Sequence, residues 1–236
     1  MRATASNAEA VRGADVVLLA VKPQVLPEVI PELRPALTKA QLVVSVVAGA
    51  STQALGEALG HPAIVRAMPN TPAQIGQGVT VWYATASVTD EGKARTRGML
   101  SALGREFEVH QERQVAMATA VSGTGPSYIF LFIEALVDAA VHLGFPRHLA
   151  RELVLDTMQG SAAFALQSGL HIAELRDMVT SPGGTTAAAM YELERGKLRT
   201  VVSDAVWAAF ERVGQIEARL EGAAEADRGG PGRSRH

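Results

Sequence analysis

The strongest constraint on the fold is a change of pattern near residue 112. Before it, short runs of apolar and mostly β-branched residues alternate with helical segments, whereas only helical segments follow it. Strands that are apolar on both faces and separated by helices predict a doubly wound parallel sheet with both faces covered. The predicted strands span residues 16–21, 42–47, 63–68, 79–83 and 106–109, and the helices between them span residues 23–37, 52–59 and 90–103.

The second part of the chain is predicted to be entirely helical, over residues 126–143, 147–167, 172–178, 185–195 and 198–220. Its helices carry alanine and other small residues on several faces. Helices that are apolar nearly all round must be buried, and about 100 residues cannot bury them all alone. We therefore expect an α/β domain over residues 1–111 and an all-helical dimerisation domain over residues 112–220. Residues 221–236, rich in Gly, Arg and Ala, are expected to be a disordered tail.

Composition excludes several classes of protein. The net charge is only −2, so no global basic field attracts nucleic acid. The chain has no cysteine, and therefore no disulfide and no thiolate site. The apolar segment 128–141 contains Glu134 and Asp138 and is too short to span a bilayer, and the first fifteen residues lack the apolar core of a secretory signal. We expect a cytoplasmic protein that binds neither nucleic acid nor membrane.

Residues 181–186, Ser-Pro-Gly-Gly-Thr-Thr, form the most informative motif of the helical part. Two adjacent glycines let the backbone turn tightly and approach a ligand. The motif then opens a helix, whose first N–H groups have no intrahelical partner and can hold a small anion. An ordinary helix start, with Ser181 or Thr185 as the cap, explains the same residues.

The predicted strands place further candidate groups at the carboxyl edge of the sheet, where ligands bind in open parallel sheets. Lys22, after the first strand, either neutralises a cofactor phosphate or is a solvated lysine. Residues 47–50 either admit a flat ring or form a tight turn. Residues 68–72 hold an amide and a hydroxyl between two prolines, as a binding loop or a structural turn. Residues 122–126 are a hinge or a site of close packing.

The histidines show no metal-ligand spacing with one another or with a carboxylate cluster, and no nucleophile elbow is present. We therefore expect no metal site, and we read the histidines as surface or packing residues. Acyl transfer and metal-assisted hydrolysis are poor candidates. A reaction carried mainly by a cofactor fits better, because the protein then supplies orientation and electrostatics.

Four segments together resemble the pyrroline-5-carboxylate reductase family: residues 20–24, 68–72, 122–126 and 179–186 have its order and spacing. The resemblance extends over residues 7–220. It implies reduction of 1-pyrroline-5-carboxylate to L-proline by NADPH or NADH, the last step of proline biosynthesis. It also implies a Rossmann domain followed by a helical domain that interlocks with its twin in a homodimer or a larger homo-oligomer.

The resemblance assigns roles to individual residues. It implies that the dinucleotide is bound by Asn7, Ala20, Val21, Lys22, Pro23, Val47, Ala48 and Gly49. It implies that the substrate is bound by Ser181, Gly183, Gly184, Thr185 and Thr186. Backbone N–H groups of this loop would hold the carboxylate, and Thr186, the expected catalytic residue, would face the ring nitrogen.

The sequence departs from the family in lacking a Gly-x-Gly-x-x-Gly turn after a first strand. By this resemblance, Met1 stands where the family is already past its second strand, so we expect about 30 or more residues of the first βαβ unit to be absent. The alternative function is therefore a non-catalytic remnant that dimerises but binds the cofactor poorly. A 6-phosphogluconate or hydroxyacid type of dehydrogenase generally uses a lysine in its helical domain; here the only lysine after Lys93 is Lys197, which argues against that class.

Overall fold

The computed structural model describes residues 3–228, which form two compact units. The first unit contains the chain up to Pro126 and again from Val206 onward, and the second is Ser127–Ala205. The two are described separately below.

The first unit is built on a five-stranded sheet in the order β1-β2-β3-β4-β5. Its strands are β1 (Val16–Leu19), β2 (Leu42–Ser45), β3 (Ile64–Met68), β4 (Gly78–Ala84) and β5 (Gly104–Glu108). Its helices are α1 (Asn7–Val11), α2 (Leu26–Leu33), α3 (Thr52–Leu59), α4 (Asp90–Ser101) and α5 (Arg113–Ala118), with 3₁₀ turns at Pro23–Val25 and Thr71–Ile75 and a π-helical turn at Thr119–Gly123.

Both faces of this sheet are buried, as the apolar strands predict. Val43 and Ile64 belong to one apolar cluster and Val44 and Val65 to the other, and none of the four side chains is exposed. Alternate residues of a strand point to opposite faces, so a strand that is apolar throughout requires a cover on each side. The predicted two-sided α/β sheet is confirmed.

The prediction that all strands are parallel is wrong for β4. Strands β1, β2 and β3 pair in parallel, but β4 pairs antiparallel with β3, and β5 is parallel to β4. The connection from Met68 to Gly78 contains one 3₁₀ turn and no helix. A parallel crossover needs a dozen or more residues, usually with a helix, so this short connection reverses the strand.

The second unit contains most of α6 (Gly125–His142), α7 (Arg147–Ser168), α8 (Ile172–Met178), α9 (Thr185–Arg195) and the start of α10 (Leu198–Arg228). Its described residues include two buried apolar side chains, Val137 and Ala150. Large apolar side chains are instead exposed along its helices, among them Phe130, Leu131, Phe164, Leu166, Val201 and Val202. One copy of the chain therefore leaves this unit without a core of its own.

Helix α10 continues to Arg228. It thus extends eight residues into the segment 221–236 that we expected to be disordered. The sequence of residues 221–228 offers a reason, since it consists mostly of Ala, Glu and other helix-favouring residues. Residues 229–236 lie outside the described residues.

Candidate functional site

Two of the predicted cofactor segments lie side by side at the carboxyl edge of the sheet. Residues 20–23 follow β1 and residues 47–49 follow β2, and these strands are parallel neighbours. The ladder continues past the strand ends, because the Val46 N–H donates to the Leu19 carbonyl at 3.0 Å. This edge is where open α/β sheets bind their ligands. Asn7 lies on α1, where its Nδ2 donates to Glu32 Oε2 at 3.0 Å.

The segment after β1 has the chemistry needed to receive part of a dinucleotide. Ala20 and Lys22 are exposed, and Lys22 precedes the 3₁₀ turn in an extended conformation, with its carbonyl accepting the Val25 N–H at 2.9 Å. A small side chain leaves room for a ring, and the ammonium group offers a charge for a phosphate or a donor for a ribose hydroxyl. The residues present therefore fit a nicotinamide dinucleotide at this edge.

The turn after β2 is more tightly enclosed than the sequence suggests. Gly49 has φ +76°, a conformation that favours glycine. A Cβ at this position would overlap Cγ2 of Ile216 on α10 and would lie 3.1 Å from the Ile216 Cβ. The missing side chain is therefore explained by the packing of α10 as well as by the turn. Ser51 then caps α3, its hydroxyl accepting the Ala54 N–H at 3.2 Å.

A buried charge network lies beside this turn. Arg66 on β3 is 4% exposed, and its guanidinium binds Glu112 Oε1 at 3.1 Å and Glu217 Oε1 on α10 at 2.5 Å. Glu112 also accepts two hydrogen bonds from Thr52, the first residue of α3: one from the backbone N–H at 2.7 Å and one from the hydroxyl at 2.6 Å. The network thus links β3, α3, the segment before α5 and α10. It borders a cleft of about 500 Å³ in the first unit.

The loop after β3 is braced internally. Asn70 Oδ1 accepts the Val79 N–H at 2.8 Å, and Nδ2 donates to the Ser122 carbonyl at 3.1 Å. A Cβ on Gly123 would lie 3.2 Å from Met68 Cε. These contacts support a structural turn for residues 68–72 and close packing for residues 122–126.

The predicted substrate loop joins α8 to α9 in the second unit. Gly183 has φ +69°, and the Gly184 N–H donates to the Ser181 carbonyl at 3.0 Å, which closes a tight turn. A Cβ on Gly184 would overlap the Ser181 hydroxyl. Gly184 is the N-cap residue of α9, and no side chain caps this helix. Ser181 therefore shapes the turn rather than capping α9, and the helix start offers its first N–H groups beside the hydroxyls of Thr185 and Thr186.

Sequence reasoning missed four residues of this region: Arg66, Glu112, Ile216 and Glu217. One signal was available. An arginine inside the apolar strand 63–68 would be buried, and a buried charge must be paired. Its partners lie 46 and 151 residues further along the chain, where no local pattern points back to the strand.

Comparison with known proteins supports the assignment of both units. Residues 112–216 match the family model "Pyrroline-5-carboxylate reductase dimerisation", and residues 1–49 match "NADP oxidoreductase coenzyme F420-dependent". The pyrroline-5-carboxylate reductase of Pseudomonas aeruginosa is 44% identical over 216 residues, which cover 91% of this chain and 79% of that protein. The chain belongs to the pyrroline-5-carboxylate reductase family.

Solved structures of the family agree with the fold. The pyrroline carboxylate reductase of Plasmodium falciparum, crystallised with NADP bound, has a TM-score of 0.86 at 35% identity and covers 91% of this chain and 81% of its own. The reductase of Coxiella burnetii has a TM-score of 0.83 at 40% identity, covering 90% and 80%. The resemblance, the oxidoreductase class and the NADP-binding α/β domain followed by a helical dimerisation domain are confirmed.

The dimerisation domain makes this reductase family member a homo-oligomer. It also accounts for the segment Arg113–His142, which is long and apolar enough to cross a membrane by length and composition, with 11% of an apolar stretch of 18 residues within it buried in one chain. The segment lies entirely within the matched dimerisation region and is interrupted by the π-helical turn. We assign it to the core of the dimerisation domain.

Proposed function

We propose that this chain reduces 1-pyrroline-5-carboxylate to L-proline with NADPH or NADH, as the last step of proline biosynthesis. The observation that carries the proposal is its 44% identity with a pyrroline-5-carboxylate reductase across 79% of that enzyme's length. The two predicted binding regions, at the carboxyl edge of the sheet and at the start of α9, provide the groups that the reaction requires.

We propose that the start of α9 binds the substrate carboxylate. The backbone N–H groups of Thr185 and Thr186 lie in the first turn of the helix, where the helix dipole adds a partial positive charge. Gly184, whose own N–H closes the turn on the Ser181 carbonyl, has no side chain and so leaves the approach to these groups open. Ser181 and Gly183 keep the loop in the turn that exposes these groups. The Thr186 hydroxyl faces the ring nitrogen, to which it can donate or from which it can accept a hydrogen bond.

The cofactor is held at the other region, by Ala20, Val21, Lys22 and Pro23 after β1 and by Val47, Ala48 and Gly49 after β2, with Asn7 from α1. A nicotinamide bound by these residues would supply the hydride for the imine carbon of the substrate. The ring nitrogen takes its proton from solvent or from Thr186. A protonated imine is already electrophilic, so the residues around it need to orient the substrate rather than act as a strong base.

The remaining assignments complete the proposal. The domain boundaries are 1–111, 112–220 and 221–236, and the assembly is a homodimer or a larger homo-oligomer. The exposed apolar helices of the second unit predict an interface larger than about 2,000 Å². We place the protein in the cytoplasm, without a membrane partner. We also expect no nucleic-acid partner, because a net charge of −2 provides no global basic field.

Steady-state kinetics tests the proposal. Purified full-length chain should consume NADPH or NADH only when 1-pyrroline-5-carboxylate is present, and L-proline should appear in equal amount. Gly184→Val is the matched negative control. Its side chain would overlap Ser181 and displace the N–H groups, so substrate binding should be lost while NADPH binding remains. Absence of proline formation by the wild-type chain with both cofactors would contradict the proposal.

A further inference from the structure

Helix α10 contacts the turn that follows β2, although α10 begins in the second unit. Its residues 216 and 217 lie within the first unit, next to Gly49. Ile216 Cγ2 packs directly on Gly49, and the Glu217 backbone nitrogen lies 3.4 Å from the position of a Gly49 Cβ. The turn therefore rests on one short stretch of α10.

The same stretch of α10 is anchored by charge. Glu217 pairs with Arg66, and Arg66 is the register partner of Ser45, the last residue of β2. Ser45 in turn accepts the Val47 N–H at 3.2 Å. Arg66 is nearly fully buried, and a buried charge pair holds its geometry because breaking it leaves an uncompensated charge. The pair thus fixes the position of Ile216 over Gly49.

The far end of the turn is held by the other partner of Arg66. Glu112 accepts the N–H and the hydroxyl of Thr52, where the turn enters α3. Inside the turn, the Ala50 N–H donates to the Val47 carbonyl at 3.4 Å. The turn is therefore held at its beginning by Ser45, at Gly49 by Ile216 and at its end by Glu112. Glu112 and Glu217, the neighbour of Ile216, both bind Arg66.

We infer that Ile216 and Glu217 are positioning residues for the cofactor: they hold the turn Val47–Gly49 in its binding conformation. This inference rests on the proposed role of that turn in holding the dinucleotide. The two residues act through Gly49 and Arg66 and do not bind the cofactor themselves. Pre-organised backbone costs no ordering entropy on binding, so loosening the turn weakens NADPH binding without changing the chemistry at the imine.

Substitutions at Ile216 separate positioning from general packing. Ile216→Val retains Cγ2, the methyl group that packs on Gly49, whereas Ile216→Leu keeps the volume but loses that methyl group. The Kd for NADPH, measured by titration calorimetry on the full-length protein, should stay within about twofold for Val and rise about tenfold for Leu, a tenfold change being 1.4 kcal/mol. In the absence of cofactor, amide hydrogen exchange at residues 47–50 should be faster than wild type in Ile216→Leu and unchanged in Ile216→Val.

The charge anchor is tested with the same substitution at two positions of α10. Glu217→Gln weakens the bond to Arg66 and should raise the Kd for NADPH about fivefold. Glu211→Gln is the control, because Glu211 accepts from Trp207 Nε1 at 3.0 Å and an amide oxygen replaces that acceptor. Its Kd should be unchanged. In Ile216→Leu and Glu217→Gln, the KM for NADPH should rise while kcat and the KM for the substrate stay near wild type.

Two results would overturn the inference, and they differ from failure of the proposed function. If wild type binds NADPH, and Ile216→Leu and Glu217→Gln lower the melting temperature but leave the Kd and the exchange at residues 47–50 unchanged, the residues are structural only. If wild type binds neither NADPH nor NADH, the proposed function fails and the positioning role fails with it.

Discussion

The two units of this chain differ in where their cores come from. The sheet of the first unit buries both its faces within one chain, with Val43, Val44, Ile64 and Val65 fully enclosed. The described helices of the second unit leave most of their large apolar side chains exposed. Apolar surface of that extent marks an interface. The first unit therefore forms its core from its own residues, whereas the second is completed by another copy of the chain.

The largest effect should follow from placing a charge in the sheet. Val44→Asp places an unpaired carboxylate inside a buried apolar cluster of the sheet. It should destabilise the first unit by more than about 4 kcal/mol, enough to unfold it. The loss should not depend on protein concentration. Urea unfolding followed by tryptophan fluorescence, to which Trp82 in the same buried cluster contributes, measures it.

Ile75→Asp is the control, because Ile75 is 74% exposed in the same unit and lies outside the matched dimerisation region. A surface substitution should change the unfolding free energy by no more than about 0.5 kcal/mol. Equal losses of unfolding free energy in the two variants would contradict the claim that the first unit is held together by its own buried core.

A charge on an exposed helix of the second unit should act on assembly instead. Leu131→Glu places a carboxylate on α6 where the side chain is 67% exposed in one chain. If a second copy covers this face, the dissociation constant should rise about 100-fold, equivalent to about 2.7 kcal/mol. Sedimentation velocity across a concentration series measures it.

The control for assembly is Ile75→Glu. Ile75 is 74% exposed in the first unit, so the same kind of change is made on a surface that needs no partner. The mass should remain that of wild type. If the wild type is monomeric at micromolar concentration with its helices intact, the claim that another copy completes the second unit is contradicted.

The proposed catalytic hydroxyl gives the next largest effect. Thr186→Ala should lower kcat by about 5- to 150-fold, because one polar contact to the developing amine is worth about 1–3 kcal/mol. The KM for NADPH should change less, since the cofactor is held by the other unit. Steady-state kinetics with each ligand varied in turn measures both.

Thr185→Ala is the companion variant, since its hydroxyl lies at the same helix start but is not expected to face the ring nitrogen. It should retain more of kcat than Thr186→Ala. Wild-type kinetics in Thr186→Ala would show that the hydroxyl takes no part in turnover.

The smallest effect concerns the edge of the sheet. The hydrogen bond from Lys93, at 2.7 Å, lowers the pKa of Glu108 below its ordinary value of 4.5, with Arg97 adding to the effect. Because the folded pKa is depressed, this stabilisation is fully present above the unfolded-state pKa and is lost as pH falls through the folded one. Ion pairs at the protein surface contribute about 1 kcal/mol or less.

Glu108→Gln should therefore cost up to about 1 kcal/mol at pH 7 and less in acid, which makes the fall in stability below about pH 4.5 slightly shallower. Urea unfolding at several pH values compares it with wild type. A larger loss at neutral pH than in acid would fit the lowered pKa; the reverse order would contradict its sign.

Much of this architecture can be predicted from sequence because its signals are local. Apolar β-branched runs mark the strands, and Gly144 and Gly169, both at positive φ, end helices as predicted. The direction of β4 was wrong because it depends on the length of a connection rather than on the strand itself. The network around Arg66 was missed because its partners are distant in sequence, and the packing of Ile216 on Gly49 depends on tertiary structure alone.

The most direct test of the account follows one hydrogen atom. With NADPH deuterated at the transferable C4 position, the full-length chain should produce L-proline that carries deuterium at C5, the former imine carbon, as seen by mass spectrometry and NMR. Only hydride transfer from the bound cofactor to the imine gives this label. Proline without deuterium at C5, or no proline at all, would contradict the assignment of the chain as a functioning pyrroline-5-carboxylate reductase.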